Sequence, residues 1–170
     1  MKSIVVLVFA LWFSGNAIAA ARALVRSGVV IRVVDGDTLW VRDATGVPGG
    51  ETLKVRILGI DAPEICQLGG LEAGEVLRGH VLGQTVTLTG SSARSRDDYG
   101  RLLARVDKQG DDVGRWMVRR GQAWSYRYRR TAGPYAAEQA QAQAAGAGLF
   151  AHAAAEYPHS FRQRHGSCYP

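Results

Sequence analysis

From Val29 onward, short apolar stretches alternate with polar, glycine-bearing ones, and the spacing changes from strand-like to helical and back. Val29–Val34 (VVIRVV) is β-branched and predicts a strand, Asp35-Gly36-Asp37 a turn, and Thr38–Arg42 a second strand that completes a hairpin. Val47-Pro48-Gly49-Gly50 turns the chain again before Thr52–Ile60 (TLKVRILGI), the longest strand segment. Asp61-Ala62-Pro63-Glu64 must leave the sheet, because proline cannot donate to a central ladder. From Leu71 to Leu82 the period becomes helical, with Ala73, Val76, Leu77 and His80 on one face and Gly83 placed to end it. Gln84–Thr89 and Leu102–Asp107 read as strands separated by a polar loop over Arg94–Arg101. Val113, Trp116, Met117 and Arg120 mark a helix ending near Gly121, with Trp116 and Met117 assigned to the core. Tyr135–Ala147 is an Ala/Gln-rich helix. After Phe150 no period is visible, and His152, His159 and His165 read as solvated or locally bonded.

The predicted order is three strands, a helix, two strands and two helices. Five short strands with Gly-rich turns fit a β-barrel plus α class: a five-stranded barrel of OB type with about three helices, a shape that often binds oligonucleotides. The chain of 170 residues, 46% hydrophobic with mean hydropathy −0.09, is long enough to bury one core and too apolar for general disorder. Lys2, the apolar run Ile4–Gly15 and the small residues Ala17, Ala19 and Ala21 predict a signal peptide over 1–21, cleaved near 19–21. That leaves a folded domain over 22–150, a tail over 151–170, no membrane anchor after cleavage, and an exported location, periplasmic or secreted.

Charge sharpens the picture. The formal net charge is +6 with a pI near 9.7, and arginine, which grips phosphate bidentately, dominates the basic residues. An anionic partner is implied, nucleic acid first. Cys66 and Cys168 are too few for a disulfide scaffold; in an exported chain they are expected to pair and tie the tail to the body.

Three polar clusters carry candidate chemistry: Asp35-Gly36-Asp37-Thr38; Arg56 through Asp61-Ala62-Pro63-Glu64; and Asp97-Asp98-Tyr99-Gly100-Arg101. Taken singly, each has an ordinary explanation as a hairpin turn, a structural salt bridge or a solvated loop. Arg56 and Asp61 are five apart, so they share a site only if the strand bends near Gly59. Together the clusters offer hard oxygen ligands in Asp37, Asp61 and Glu64, while no Cys/His set has zinc spacing. Arg56 and Arg101 would clamp a phosphate. A cation, a carboxylate base and two guanidiniums are what phosphodiester hydrolysis requires.

The blocks V-V-D-G-D-T, V-R-I-L-G-I-D-A-P-E and D-D-Y-G-R, in this order, resemble the signatures of the staphylococcal nuclease family, and Gly121-Gln122-Ala123-Trp124 and Gly148-Leu149-Phe150 extend the likeness over roughly 29–150. The resemblance implies a calcium-dependent enzyme that cleaves single-stranded or frayed DNA and RNA and leaves 3′-phosphates. Asp37, Asp61 and the carbonyl of Ala62 would hold Ca2+, and Glu64 would be the base. Arg56 and Arg101 would contact the phosphate. Asp35 and Thr38 would stand behind the ligands, with Tyr99 at the substrate. Tyr126 and Tyr128 are both candidates for base stacking, with core packing an equal reading for either. Ala62 departs from the family's threonine, and Phe150 stands where tryptophan is frequent. A monomer is expected, and the competing reading is a non-catalytic nucleic-acid-binding module on the same barrel.

Overall fold

The computed structural model describes residues 24–44, 50–92, 95–129, 131–166 and 168. The expected signal peptide lies outside the described residues, as does most of the Val47–Gly50 turn. Five strands form the barrel: β1 (Leu24–Val33), β2 (Thr38–Asp43), β3 (Thr52–Ile57), then β5 (Thr85–Gly90) and β6 (Leu102–Lys108). They run in the order β3-β2-β1-β5-β6, and a parallel pairing of β3 with β6 through Val55↔Leu102 and Ile57↔Ala104 closes the ring. Closure removes the exposed edges that an open sheet would present.

β1 begins five residues earlier than its apolar run predicts because it serves two neighbours. Its first part, Leu24–Val29, pairs with β5, and Gly28–Val33 pairs with β2, with a register shift between Val30 and Arg32. Such a shift bends a strand around a small barrel. Inward-facing Val30, Leu39, Val41, Val55, Ile57, Leu88, Ala104 and Val106 fill the interior. α1 (Gly70–Val81) adds Ala73, Leu77 and Val81 to that core, and α2 (Val113–Arg119) adds Met117 and Val118; Trp116 packs against it.

The third predicted strand stops at Ile57. Gly59, at φ +85, turns the backbone, and β4 (Ile60–Asp61) pairs with β8 (Trp124–Ser125) as a separate two-stranded ladder. β7 (Asp111–Asp112) is equally short. The Ala/Gln helix is α3 (Ala136–Ala144), ending before a 3-10 turn at Gly148–Ala151. A fourth helix, α4 (Pro158–His165), occupies the tail that has no visible period. Proline in its first turn and Arg162, Arg164 and His165 in its last match the helix dipole, although its only buried residue is Pro158. Tertiary links hold it: the Cys66–Cys168 disulfide (Cα–Cα 5.7 Å), Gln67 Nε2 donating to the Glu156 carbonyl at 2.8 Å, and Tyr157 edge-on to Trp124 at 5.7 Å. Among the described residues no helix is long and apolar enough to cross a membrane.

Candidate active site

The β1–β2 turn brings the first acids in. Asp35 Oδ1 accepts the Asp37 N–H at 3.0 Å, and Val34 N–H donates to Thr38 O at 2.8 Å, which fixes a tight corner. A Cβ on Gly36 would meet the Ala62 Cβ at 2.6 Å and the Ala73 Cβ at 2.8 Å, so glycine lets this corner press against the β4 exit and α1. Asp37 Oδ2 then accepts the Ala62 N–H at 2.9 Å, while Thr38 Oγ1 donates to Asp37 Oδ1 at 3.1 Å.

The bend at Gly59 resolves the spacing problem of Arg56 and Asp61. Arg56, registered opposite Thr38 on β2, sends NH1 to Asp37 Oδ2 at 2.9 Å and NH2 to Asp61 Oδ1 at 3.1 Å. NH1 also donates to the carbonyls of Ile57 (3.1 Å) and Ile60 (3.0 Å), which pins the turn that carries Asp61. Arg101, entering β6, donates NH1 to Thr38 Oγ1 at 3.1 Å and Nε to Asp97 Oδ2 at 2.7 Å. Asp97 also accepts the N–H groups of Tyr99 and Arg101, which makes it the organiser of that loop, a role the sequence does not single out. Its partial burial works to raise its pKa, but the bonds from Arg101 outweigh this and hold the carboxyl below its ordinary value.

A residue absent from the sequence reading completes the cluster. Arg162, from α4, forks onto Asp61, NH1 to Oδ1 and NH2 to Oδ2 at 3.1 Å each, and NH1 also reaches Glu64 Oε1 at 2.9 Å. Burial works against its charge, and the bonds from Asp61 and Glu64 more than offset that, raising its pKa. Asp61 is fully buried; burial pushes its carboxyl above the usual range while the Arg162 bonds pull it back. Burial, then the charge of Asp37, pushes Asp35 up to about 7. No local periodicity announces Arg162; the signals in the sequence are a basic tail and the Cys66–Cys168 pair.

Four carboxylates (Asp35, Asp37, Asp61 and Glu64) thus gather around two guanidiniums (Arg56 and Arg162), leaving formal negative charge in a largely buried cluster. The donors are hard oxygens, a set whose chemistry suits a hard divalent cation. Among the described residues no three His, Cys, Asp or Glu side chains are arranged to hold an ion, and Asp61 and Glu64 are both paired with Arg162.

The three tyrosines expected at the substrate are exposed rather than packed in the core: Tyr99 80%, Tyr126 41% and Tyr128 60%. Tyr99 lies against Arg101, its ring 5.3 Å from the guanidinium. Tyr126 leaves β8 with its N–H on the Gly59 carbonyl at 2.9 Å, beside the bend that positions Asp61. Of the tail histidines, His165 stacks on Phe161, a local contact.

The sequence model of the staphylococcal nuclease homologue family matches residues 54–152, more than half of the chain. The chain belongs to the staphylococcal nuclease family. An uncharacterized endonuclease of Escherichia coli O157:H7 is 40% identical over 100 residues, 58% of this chain and 60% of that protein. An uncharacterized endonuclease of Haemophilus influenzae is 35% identical over 122 residues, covering 72% of this chain and 65% of that protein. A micrococcal nuclease of Shigella flexneri is 34% identical over 130 residues, 66% of this chain and 70% of that protein. The chain thus spans about three fifths of the length of the first of these relatives. The staphylococcal nuclease match ends at residue 152, so α4 and Arg162 lie beyond the matched region.

Proposed function

We propose that this staphylococcal nuclease homologue is a calcium-dependent enzyme that hydrolyses phosphodiester bonds in DNA and RNA and leaves 3′-phosphate ends. One observation carries the reading: a continuous network runs from Arg101 through Thr38, Asp37, Arg56 and Asp61, and on through Arg162 to Glu64, joining all three sequence clusters. A turn, a salt bridge and a loop with separate structural duties have no need to share one pocket.

When bound between Asp37, Asp61 and the Ala62 carbonyl, Ca2+ supplies charge neutralisation and orientation at the scissile phosphate. Glu64, only partly buried, accepts the proton of the attacking water. The water oxygen bonds to phosphorus, the bond from phosphorus to the 5′ oxygen breaks, and that oxygen leaves as a hydroxyl after taking up a proton. Arg56 and Arg101, held by Asp37, Asp61 and Asp97, donate to the non-bridging oxygens as negative charge builds on the five-coordinate phosphorus. Thr38 and Asp35 brace Asp37, Tyr99 stands near the phosphate beside Arg101, and Tyr126 or Tyr128 offers a face to a base of a single-stranded or frayed segment. We propose an exported monomer; the disulfide supports export, since such bonds persist in oxidising compartments.

The test is digestion of single-stranded DNA by the purified chain in calcium and then in EGTA, with end-group analysis, alongside Glu64→Gln. Calcium-dependent cleavage to 3′-phosphates, with the Glu64→Gln rate down by roughly 10²–10⁴ and DNA binding retained, is expected. Retarded but uncut DNA in both buffers would replace the enzyme with a binding module.

A further inference from the structure

The Asp61 carboxylate is the most deeply buried acid of the site, and both its oxygens are taken by the Arg162 fork, with Arg56 sharing Oδ1. A cation bound by Asp61 must approach these same oxygens, at roughly 2.3–2.6 Å for calcium. The planar fork already lies across both of them, and its positive charge opposes a second cation. We propose, on the basis of the calcium reading above, that Arg162 is the site's resident cation and the residue that sets its metal affinity: it must leave Asp61 before a divalent ion can be held there.

The tail is built to deliver this side chain. Cys66 lies two residues beyond Glu64 and Cys168 six residues beyond Arg162, so the disulfide fastens the carrier segment beside its target. Gln67 holds the segment's start through the Glu156 carbonyl, Arg127 N–H reaches Tyr157 Oη at 3.2 Å, and Arg164 pairs with Glu156. The tether gives Arg162 a high effective concentration at Asp61 while leaving the helix itself barely buried and able to withdraw. Arg162 is 35% exposed on its side chain while Asp61 is fully buried, so the way out for the guanidinium is from the arginine's side, without the core opening.

Coupling between two ligands of one site is reciprocal: the factor by which Arg162 weakens calcium is the factor by which calcium loosens α4. Calorimetry of Ca2+ binding to the oxidised full chain and to Arg162→Gln reads the first, and amide exchange over Pro158–His165 with and without saturating Ca2+ reads the second. Calcium is expected to bind Arg162→Gln roughly tenfold more tightly, within the usual span of such couplings, and to speed α4 exchange in the unsubstituted chain by a similar factor. Arg162→Lys, which keeps the charge but not the fork, and the double variant Cys66→Ser with Cys168→Ser should each fall between the two. Equal or weaker calcium affinity in Arg162→Gln, or α4 exchange unmoved by calcium, overturns the proposal. If DNA is still cut in calcium when that happens, the nuclease reading survives and only the role of Arg162 falls. Lost DNA affinity with unchanged calcium affinity would make Arg162 a phosphate contact instead. No calcium heat from any of the proteins, with DNA uncut, would sink both.

Discussion

Replacing Cys66 and Cys168 together by serine removes a cross-link spanning 102 residues. In the loop-entropy treatment, the freedom that such a link withholds from the unfolded chain is about 16 cal/mol/K, or about 4.7 kcal/mol at 25 °C. Little on the folded side offsets this, since α4 buries only Pro158 and keeps its contacts through Gln67, Tyr157 and Arg162 in the variant. For a chain of this size the loss corresponds to a melting temperature lower by roughly 10–20 °C. Urea unfolding of the oxidised chain and the double variant, followed by the fluorescence of Trp40, Trp116 and Trp124, measures it directly. The m-value should rise in the variant as the unlinked chain expands further. A loss under about 1 kcal/mol would refute the reasoning. So would an early transition confined to the tail, which would mean that the link holds only α4.

Other outcomes follow from single contacts. Gly36→Ala drives a methyl against Ala62 and Ala73, so stability should drop by about 1–3 kcal/mol, with weaker calcium binding; an unmoved melting curve would contradict this packing. Tyr126→Ala or Tyr128→Ala should cost single-stranded DNA about 1–3 kcal/mol of affinity at whichever ring stacks on a base, with the melting temperature unchanged. A lowered melting temperature with intact DNA binding would return that ring to the core. His80 stacks on Trp116 at 3.8 Å with Lys108 Nζ 3.2 Å from Nδ1; burial, then Lys108 and more weakly Arg120, lower its pKa against the pull of Asp111. The unfolded chain therefore takes up a proton that the folded one refuses, and stability falls as pH drops below about 6.5. An NMR titration midpoint for His80 at or above that value would reverse the sign.

Much of this molecule was legible in the chain. β-branched and apolar runs bounded by turn residues located the five barrel strands, and the helical spacing of Ala73, Val76, Leu77 and His80 located α1, whose Ala73 and Leu77 are in the core. The requirement that Gly59 bend the chain followed from the five-residue offset of Arg56 and Asp61, and the φ of +85 there meets it. β4, β7 and β8 escaped notice because two residues carry no period. α4 escaped because Pro158 is its one buried residue, so no apolar face in its pattern distinguishes helix from coil. Arg162 was hidden more deeply: its partners lie 98 and 101 positions away, and a covalent bond and paired charges, not hydrophobic spacing, bring it to them. The site was read from the acids and arginines that fall inside local motifs; the one that arrives from the far end had no motif to belong to.

The Cys66–Cys168 bond also has a topological consequence. Every peptide bond from α1 to α4 lies inside one covalent ring, including the exposed stretch around Arg127–Arg129. A protease that cuts there opens the ring without separating its pieces, so Asp61 and Glu64 on one fragment and Arg162 on the other stay joined within a few residues of the cut chain's shared sulfurs. Such a nicked molecule would run as a single species until its disulfide was reduced, with the pocket's acids and their tail-borne counter-charge still on one molecule.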